Sequence, residues 1–142
     1  MMLSASAEVR VRYEETDKMG IVYHANYFTW FEIARIELLD AMGCPYNSLE
    51  KDNLYLPVLS CRANFRLPAH FDDRLRIVVK IEDFPMVRIK ACYEVMRGEE
   101  LLATGETTHA FVSGEGKVVR PPDAFLARAK QFIDREQAAV DE

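Results

Sequence analysis

Asp17, Gly20 and His24 fall in one short segment, ETDKMGIVYHANYFTWFE (Glu15 to Glu32), and Asn26 and Tyr27 follow directly. A carboxylate held close to an electrophile attacks it or takes a proton from water. A glycine in the same loop lets the backbone approach a substrate with no side chain intervening. A histidine near neutral pH can hydrogen-bond a developing charge or protonate a leaving group. Where a helix opens, here around Tyr23, His24 and Ala25, the first backbone N–H groups lack partners and can receive an oxyanion. The same residues have a plainer reading. Asp17, beside Lys18 and after two glutamates, is then a solvated loop acid, Gly20 a turn and Asn26 a helix cap.

The elements that must hold these groups follow from periodicity. Val9, Val11 and Tyr13 alternate with Arg10 and Arg12, which predicts a short strand running into the loop Glu14–Gly20. From about Asn26, Tyr27, Phe31, Ala34, Leu38 and Met42 form one helical stripe, with Glu32, Arg35 and Asp40 off it. An ion pair between Glu32 and Arg35 is expected at that spacing, in preference to a catalytic role for Glu32. Gly43 and Pro45 end the helix. At ~1.5 Å per residue it is about 25 Å long, the width of a five-stranded sheet at roughly 4.8 Å per strand.

The remainder alternates as strands. Leu59, Cys61, Ala63, Phe65 and Leu67 predict a half-buried strand, and Leu75, Ile77, Val79 and Ile81 a second. After an EDFP turn, Val87, Ile89, Ala91, Tyr93 and Val95 predict a third; RGEE turns into a fourth, Leu101–Ser113, closed by SGEGK. After RPPD a shorter amphipathic helix carries Phe125, Ala129, Phe132 and Ile133 inward and frays in EQAAVDE. The class is α+β: one antiparallel sheet of about five strands, whose apolar face the aromatic helix covers. Tyr23, Tyr27, Phe28, Trp30 and Phe31 line the helix–sheet core and any cleft beside the helix opening; Phe31 reads as core.

The length of 142 residues fits a single domain, 1–142. A net charge of −5 argues against a general nucleic-acid binder. With no basic leader and no apolar run of about 18 residues, a cytoplasmic protein without a membrane span is expected. Cys44, Cys61 and Cys92 contain no C-x-x-C pair and read as reduced packing residues. His24, His70 and His109 are scattered, so no metal is expected.

Arg10-Val11, Thr16-Asp17, Gly20-Ile21-Val22-Tyr23-His24, Asn26-Tyr27, Glu32 and Ala34-Arg35, together with the strand order over essentially the whole chain, resemble the hotdog-fold acyl-CoA thioesterases of the 4-hydroxybenzoyl-CoA thioesterase-like family. Within that family the chain resembles the branch associated with the Tol–Pal system. The resemblance implies a sheet wrapped around the long helix and hydrolysis of an acyl-CoA, with Asp17 as nucleophile or general base and His24 in a catalytic or positioning role. It implies no cofactor beyond coenzyme A as part of the substrate. It also implies a homodimer or homotetramer, with each site built across a dimer. Gly20, Tyr23, Asn26 and Tyr27 are the expected substrate-binding residues. Relatives often carry aspartate at the position of Glu15, which is left outside the catalytic set. A hotdog dehydratase or hydratase, or a non-catalytic acyl-CoA-binding protein, is the alternative.

Coenzyme A carries phosphates, and between Arg62 and Arg97 eight basic residues stand against five acids. Arg88 and Lys90 share a strand face and, with Arg128 of the tail helix, are the candidate CoA-binding residues. Solvated strand faces share this composition.

Overall fold

In the computed structural model, which describes residues 2–83 and 87–141, a five-stranded antiparallel sheet curls beside one long helix. The order along the chain is β1 (Leu3–Arg10), a 3-10 turn (Tyr13–Glu15), α1 (Asn26–Met42), α2 (Tyr46–Lys51), β2 (Leu54–Tyr55), β3 (Val58–Phe65), β4 (Arg74–Ile81), β5 (Arg88–Arg97), β6 (Glu100–Ala110), β7 (Val112–Ser113) and α3 (Asp123–Asp141). The expected strand at Val9 begins earlier and stops at Arg10; Tyr13 is in the 3-10 turn and 76% exposed. Part of the expected EDFP turn, Phe84 and Pro85, lies outside the described residues. The tail helix continues to Asp141 where fraying was expected. The expected fourth strand divides at Phe111 into β6 and β7, and β7 pairs with β2. The short α2 and β2 have too few residues to show a period.

The helical stripe is the core. Tyr27, Phe31, Ala34, Leu38 and Met42 are all buried, and Trp30 joins them. Each large side chain among these contributes roughly 1.5–3 kcal/mol by burial. Opposite them lie Leu75, Ile77 and Val79 of β4 and Ile89, Ala91, Tyr93 and Val95 of β5. Phe31 stacks on Tyr93 at 4.4 Å between ring centroids. It can do so because Gly105 of β6 has no side chain, since a Cβ there would meet the Phe31 ring at 2.3 Å. Gly43, at φ +81°, ends α1 in the left-handed conformation, with its N–H on the Asp40 and Leu39 carbonyls.

Strand order departs from chain order. The sheet runs β1-β4-β5-β6-β3, so β3 pairs with β6, and residues 66–73 strap across the sheet end to reach β4. The half-buried pattern expected for β3 is not observed: Leu59 and Phe65 are 45% and 49% exposed. Cys61, Ala63 and Phe65, opposite Thr107, Gly105 and Ala103, do point to the helix side. However, α1 packs mainly over β1 and β4, towards the far edge of the sheet, and meets β3 through Tyr27 at Phe65, leaving most of that strand exposed. Cys44 is buried, Cys92 partly buried and Cys61 exposed, all as free thiols.

Candidate active site

Asp17 lies on a small closed loop. Thr16 and Val22 form an antiparallel bridge, the Asp17 N–H donates to the Ile21 carbonyl at 2.9 Å, and the Gly20 N–H returns to the Asp17 carbonyl at 2.9 Å. Gly20 makes this turn at φ +79°, a conformation that side chains resist. The Met19 N–H donates to Asp17 Oδ1 at 2.9 Å and so orients the carboxylate.

Glu15 ties that loop to the helix. Its carboxylate, 5% exposed as a residue, accepts the Arg12 N–H at 2.8 Å and the Trp30 indole N–H at 3.1 Å. Its backbone carbonyl accepts the Tyr23 N–H at 2.8 Å and the Asn26 side-chain amide at 2.9 Å. Two expectations change as a result. Asn26 is not the cap but the first helical residue, following Ala25, and its side chain holds the loop through Glu15. The Tyr23 amide is consumed as well. Among the described residues no acceptor engages the amides of His24 and Ala25, so these are the N–H groups left for an oxyanion.

Asp17 and His24 line one cleft of about 410 Å³ with Met19, Ile21, Val22, Tyr27 and the segment Phe65 to Pro68. Tyr27, 3% exposed, forms its inner wall and packs edge-on to Phe65 at 4.9 Å. Burial raises the pKa of the Tyr27 hydroxyl. The His24 ring lies beside Tyr23 at 4.5 Å and near Phe65 at 6.4 Å. Tyr23 is outside the cleft lining and half exposed.

Among the cleft residues that sequence reasoning did not assign, Phe65, Arg66, Leu67 and Pro68 come from outside the Asp17 loop. Only the placement of β3 beside β6 brings them here; no motif marks them. The strap they begin is clamped. The Leu102 carbonyl receives the Arg66 and Leu67 amides, the Ala69 carbonyl receives the Val22 N–H, and Arg97 donates to the Pro68 carbonyl and the Asp73 carboxylate. Burial opposes ionisation of Asp73, but the His70 N–H and Arg97 outweigh it and hold the carboxyl below its usual range.

The candidate phosphate ligands are not grouped within one chain. Arg88 and Lys90 lie on the sheet face away from α1, and Lys90 is 3.5 Å from Glu106. Arg128 lies on the helix side, next to Gly43 at the end of α1. The expected Glu32–Arg35 ion pair does not form; Arg35 donates to the Tyr93 hydroxyl at 3.2 Å.

A five-stranded antiparallel sheet with one long helix packed on its apolar face is the architecture of the hotdog-fold thioester hydrolases. The chain belongs to the thioesterase-like superfamily, whose sequence profile matches residues 11–129. It is 34% identical over 109 residues to the putative acyl-CoA thioesterase YneP of Bacillus subtilis, covering 76% of this chain and 79% of that protein. It is 32% identical over 124 residues to the acyl-CoA thioesterase YbgC of Haemophilus influenzae, covering 86% and 91%. The solved DHNA-CoA thioesterase of Staphylococcus aureus superposes with a TM-score of 0.83 at 28% identity, covering 97% of this chain and 93% of that one. Among the described residues no helix is long and apolar enough to cross a membrane.

Proposed function

We propose that the protein hydrolyses acyl-CoA thioesters in the Asp17 cleft. The observation carrying this reading is that the Asp17 carboxylate, His24 and the open entrance of α1 border one cavity with an apolar wall. Asp17 attacks the thioester carbonyl or takes a proton from the attacking water. The His24 and Ala25 amides receive the carbonyl oxygen as it gains charge; one such donor is worth roughly 10²–10³ in rate. The acyl–sulfur bond breaks, water oxygen ends on the acyl carbon, and the thiolate takes a proton, for which His24 is the nearby donor. Tyr27, Phe65 and Leu67 pack the acyl group. Arg66, at the cleft and with no carboxylate within 4.0 Å among the described residues, is better placed for a coenzyme A phosphate than Arg88, Lys90 or Arg128.

The active unit is a homodimer joined along β3, whose outer edge is unpaired, whose Val58 and Leu59 are exposed and whose Phe65 lines the cleft. A tetramer is a pair of such dimers.

The test is thiol release from aliphatic and aromatic acyl-CoAs by the wild type and by Asp17→Asn, with enoyl product measured in parallel. A loss of about 10²-fold or more in kcat with substrate binding retained is expected. Undiminished turnover in Asp17→Asn, or an enoyl product in place of free thiol, overturns the reading.

A further inference from the structure

A second cavity, of about 420 Å³, lies under the C-terminal half of α1. Ile36 and Leu39 of α1, Leu56 before β3, Val79 and Ile89 of the sheet and Phe125 of α3 form its apolar wall. It shares no lining residue with the Asp17 cleft. Along β6, Ala103 pairs with the cleft residue Phe65, and His109 lines the second cavity. Gly105 and Thr107 lie between them, under Phe31 and Tyr93, both buried, so packed aromatic rings separate the two spaces.

A hydrogen-bonded chain runs along the floor. Arg35 Nη1 is 3.2 Å from Tyr93 Oη, which is 2.6 Å from Thr107 Oγ1; that is 2.8 Å from His109 Nε2, and His109 Nδ1 is 3.4 Å from the Leu56 carbonyl. A guanidinium only donates, and a backbone carbonyl only accepts. The order that gives every hydroxyl proton an acceptor within the chain is Arg35 to Tyr93, Tyr93 to Thr107, Thr107 to His109 and His109 to Leu56. This order makes the imidazole neutral, with its proton on Nδ1.

Arg35, at the head of the chain and partly open to solvent, has donors to spare. One of its five N–H donors is used, and among the described residues no carboxylate lies within 4.0 Å of its guanidinium. Glu32 and Glu50 also line the cavity, but both are exposed and neither pairs with it. A half-buried cation against apolar walls, with its planar donor fork unmatched, is a recognition element for a carboxylate.

We propose that this cavity binds a small apolar monocarboxylic acid, its carboxylate on the Arg35 guanidinium and its hydrocarbon body among Ile36, Leu39, Leu56 and Phe125. The site is separate from the Asp17 cleft and needs no turnover to be filled. Glu32, one turn from Arg35, is the carboxylate within the chain that competes with the ligand.

Calorimetric titration with octanoate tests this, with octanol and octylamine as probes of the same length. Saturable binding of octanoate, one per chain, is expected, with both other probes weaker by about tenfold or more. Arg35→Gln is expected to weaken octanoate by about tenfold or more, and Glu32→Gln to tighten it. Leu39→Trp, which fills the cavity while keeping the guanidinium, is expected to abolish binding and serves if Arg35→Gln does not fold. The proposal is overturned if octanoate does not bind, if octanol binds equally well, or if Arg35→Gln or Leu39→Trp leaves binding unchanged. It is also overturned if a non-hydrolysable acyl-CoA displaces octanoate, which assigns the acid to the catalytic cleft. No readout depends on hydrolysis, so these results stand apart from the Asp17 test.

Discussion

The indole N–H of Trp30, on the buried face of α1, donates to the carboxylate of Glu15 at 3.1 Å, fastening the loop that carries Asp17 to the helix behind it. Both partners are nearly sealed from water, with Trp30 1% and Glu15 5% exposed. Replacing Glu15 with alanine leaves two donors, Trp30 Nε1 and the Arg12 amide, without their acceptor. Each unsatisfied buried donor costs about 1–3 kcal/mol. Glu15→Ala is therefore expected to lower the urea midpoint substantially and to depress kcat through displacement of Asp17. Glu15→Gln, which keeps an acceptor oxygen for one of the two, is expected to fall between. Equal stability of all three proteins contradicts the assignment.

Gly105→Ala tests the packing beneath the helix. The new Cβ would stand 2.3 Å from a fully buried Phe31 ring, and the ring is also stacked on Tyr93. Overpacking of this kind costs about 1–3 kcal/mol. The expected rescue is Gly105→Ala combined with Phe31→Leu, which trims the ring; recovery of part of the lost melting temperature in the double variant checks it.

The strap 66–73 is predicted to depend on Arg97. Arg97→Met removes the 2.8 Å contact to Asp73 and the 3.2 Å bond to the Pro68 carbonyl. A loss of roughly 1–3 kcal/mol is expected, since a charged, partly buried pair is broken. The folded-state pKa of Asp73 is depressed, so its contribution is present above the ordinary carboxyl range and lost as pH falls through the folded value. In Arg97→Met that acid-side loss shrinks. Denaturation at pH 7 and at pH 3 reads the difference. KM rises as well, because Phe65 to Pro68 line the cleft.

His109 carries a pH dependence of its own. Burial, then the positive charge of Arg35, push its pKa from the ordinary 6.5 down to about 4. Between those values the unfolded chain binds a proton that the folded chain refuses, so stability falls as pH drops across that window. The slope is roughly 1.4 kcal/mol per pH unit for one such group. In His109→Gln the corresponding part of the slope is expected to vanish. Stability curves of the two proteins that run parallel from pH 7 to pH 4 contradict it.

The edge strand provides the assembly test. Leu59→Lys puts a charge on an exposed position of β3 that is outside the lining of the Asp17 cleft. Sedimentation is expected to show a monomer, with thiol release reduced at least in proportion. A fully active monomer at micromolar concentration rules out the β3 dimer as the active unit.

Much of this molecule is written locally. The stripe Tyr27, Phe31, Ala34, Leu38 and Met42, closed by Gly43 and Pro45, specifies α1, because a 3.6-residue period has one apolar face. The alternation in β4 and β5 specifies which of their faces is covered. The spacing of Asp17, Gly20 and His24 specifies a loop feeding a helix. Alternation does not state what will lie over a strand, so β3 reads as half-buried until its place at the sheet edge is known. Nor does helical spacing decide whom a charge will meet. Arg35 has Glu32 one turn away but turns inward to Tyr93, 58 residues distant, because the sheet offers a buried acceptor there. The cleft likewise depends on β3 pairing with β6, which carries Phe65 and Arg66 to the mouth of the Asp17 loop. Short-range periods are set by each segment's own backbone geometry. Strand order and the partners of buried polar groups are set by which distant surfaces fit together, and no single stretch of the chain contains that information.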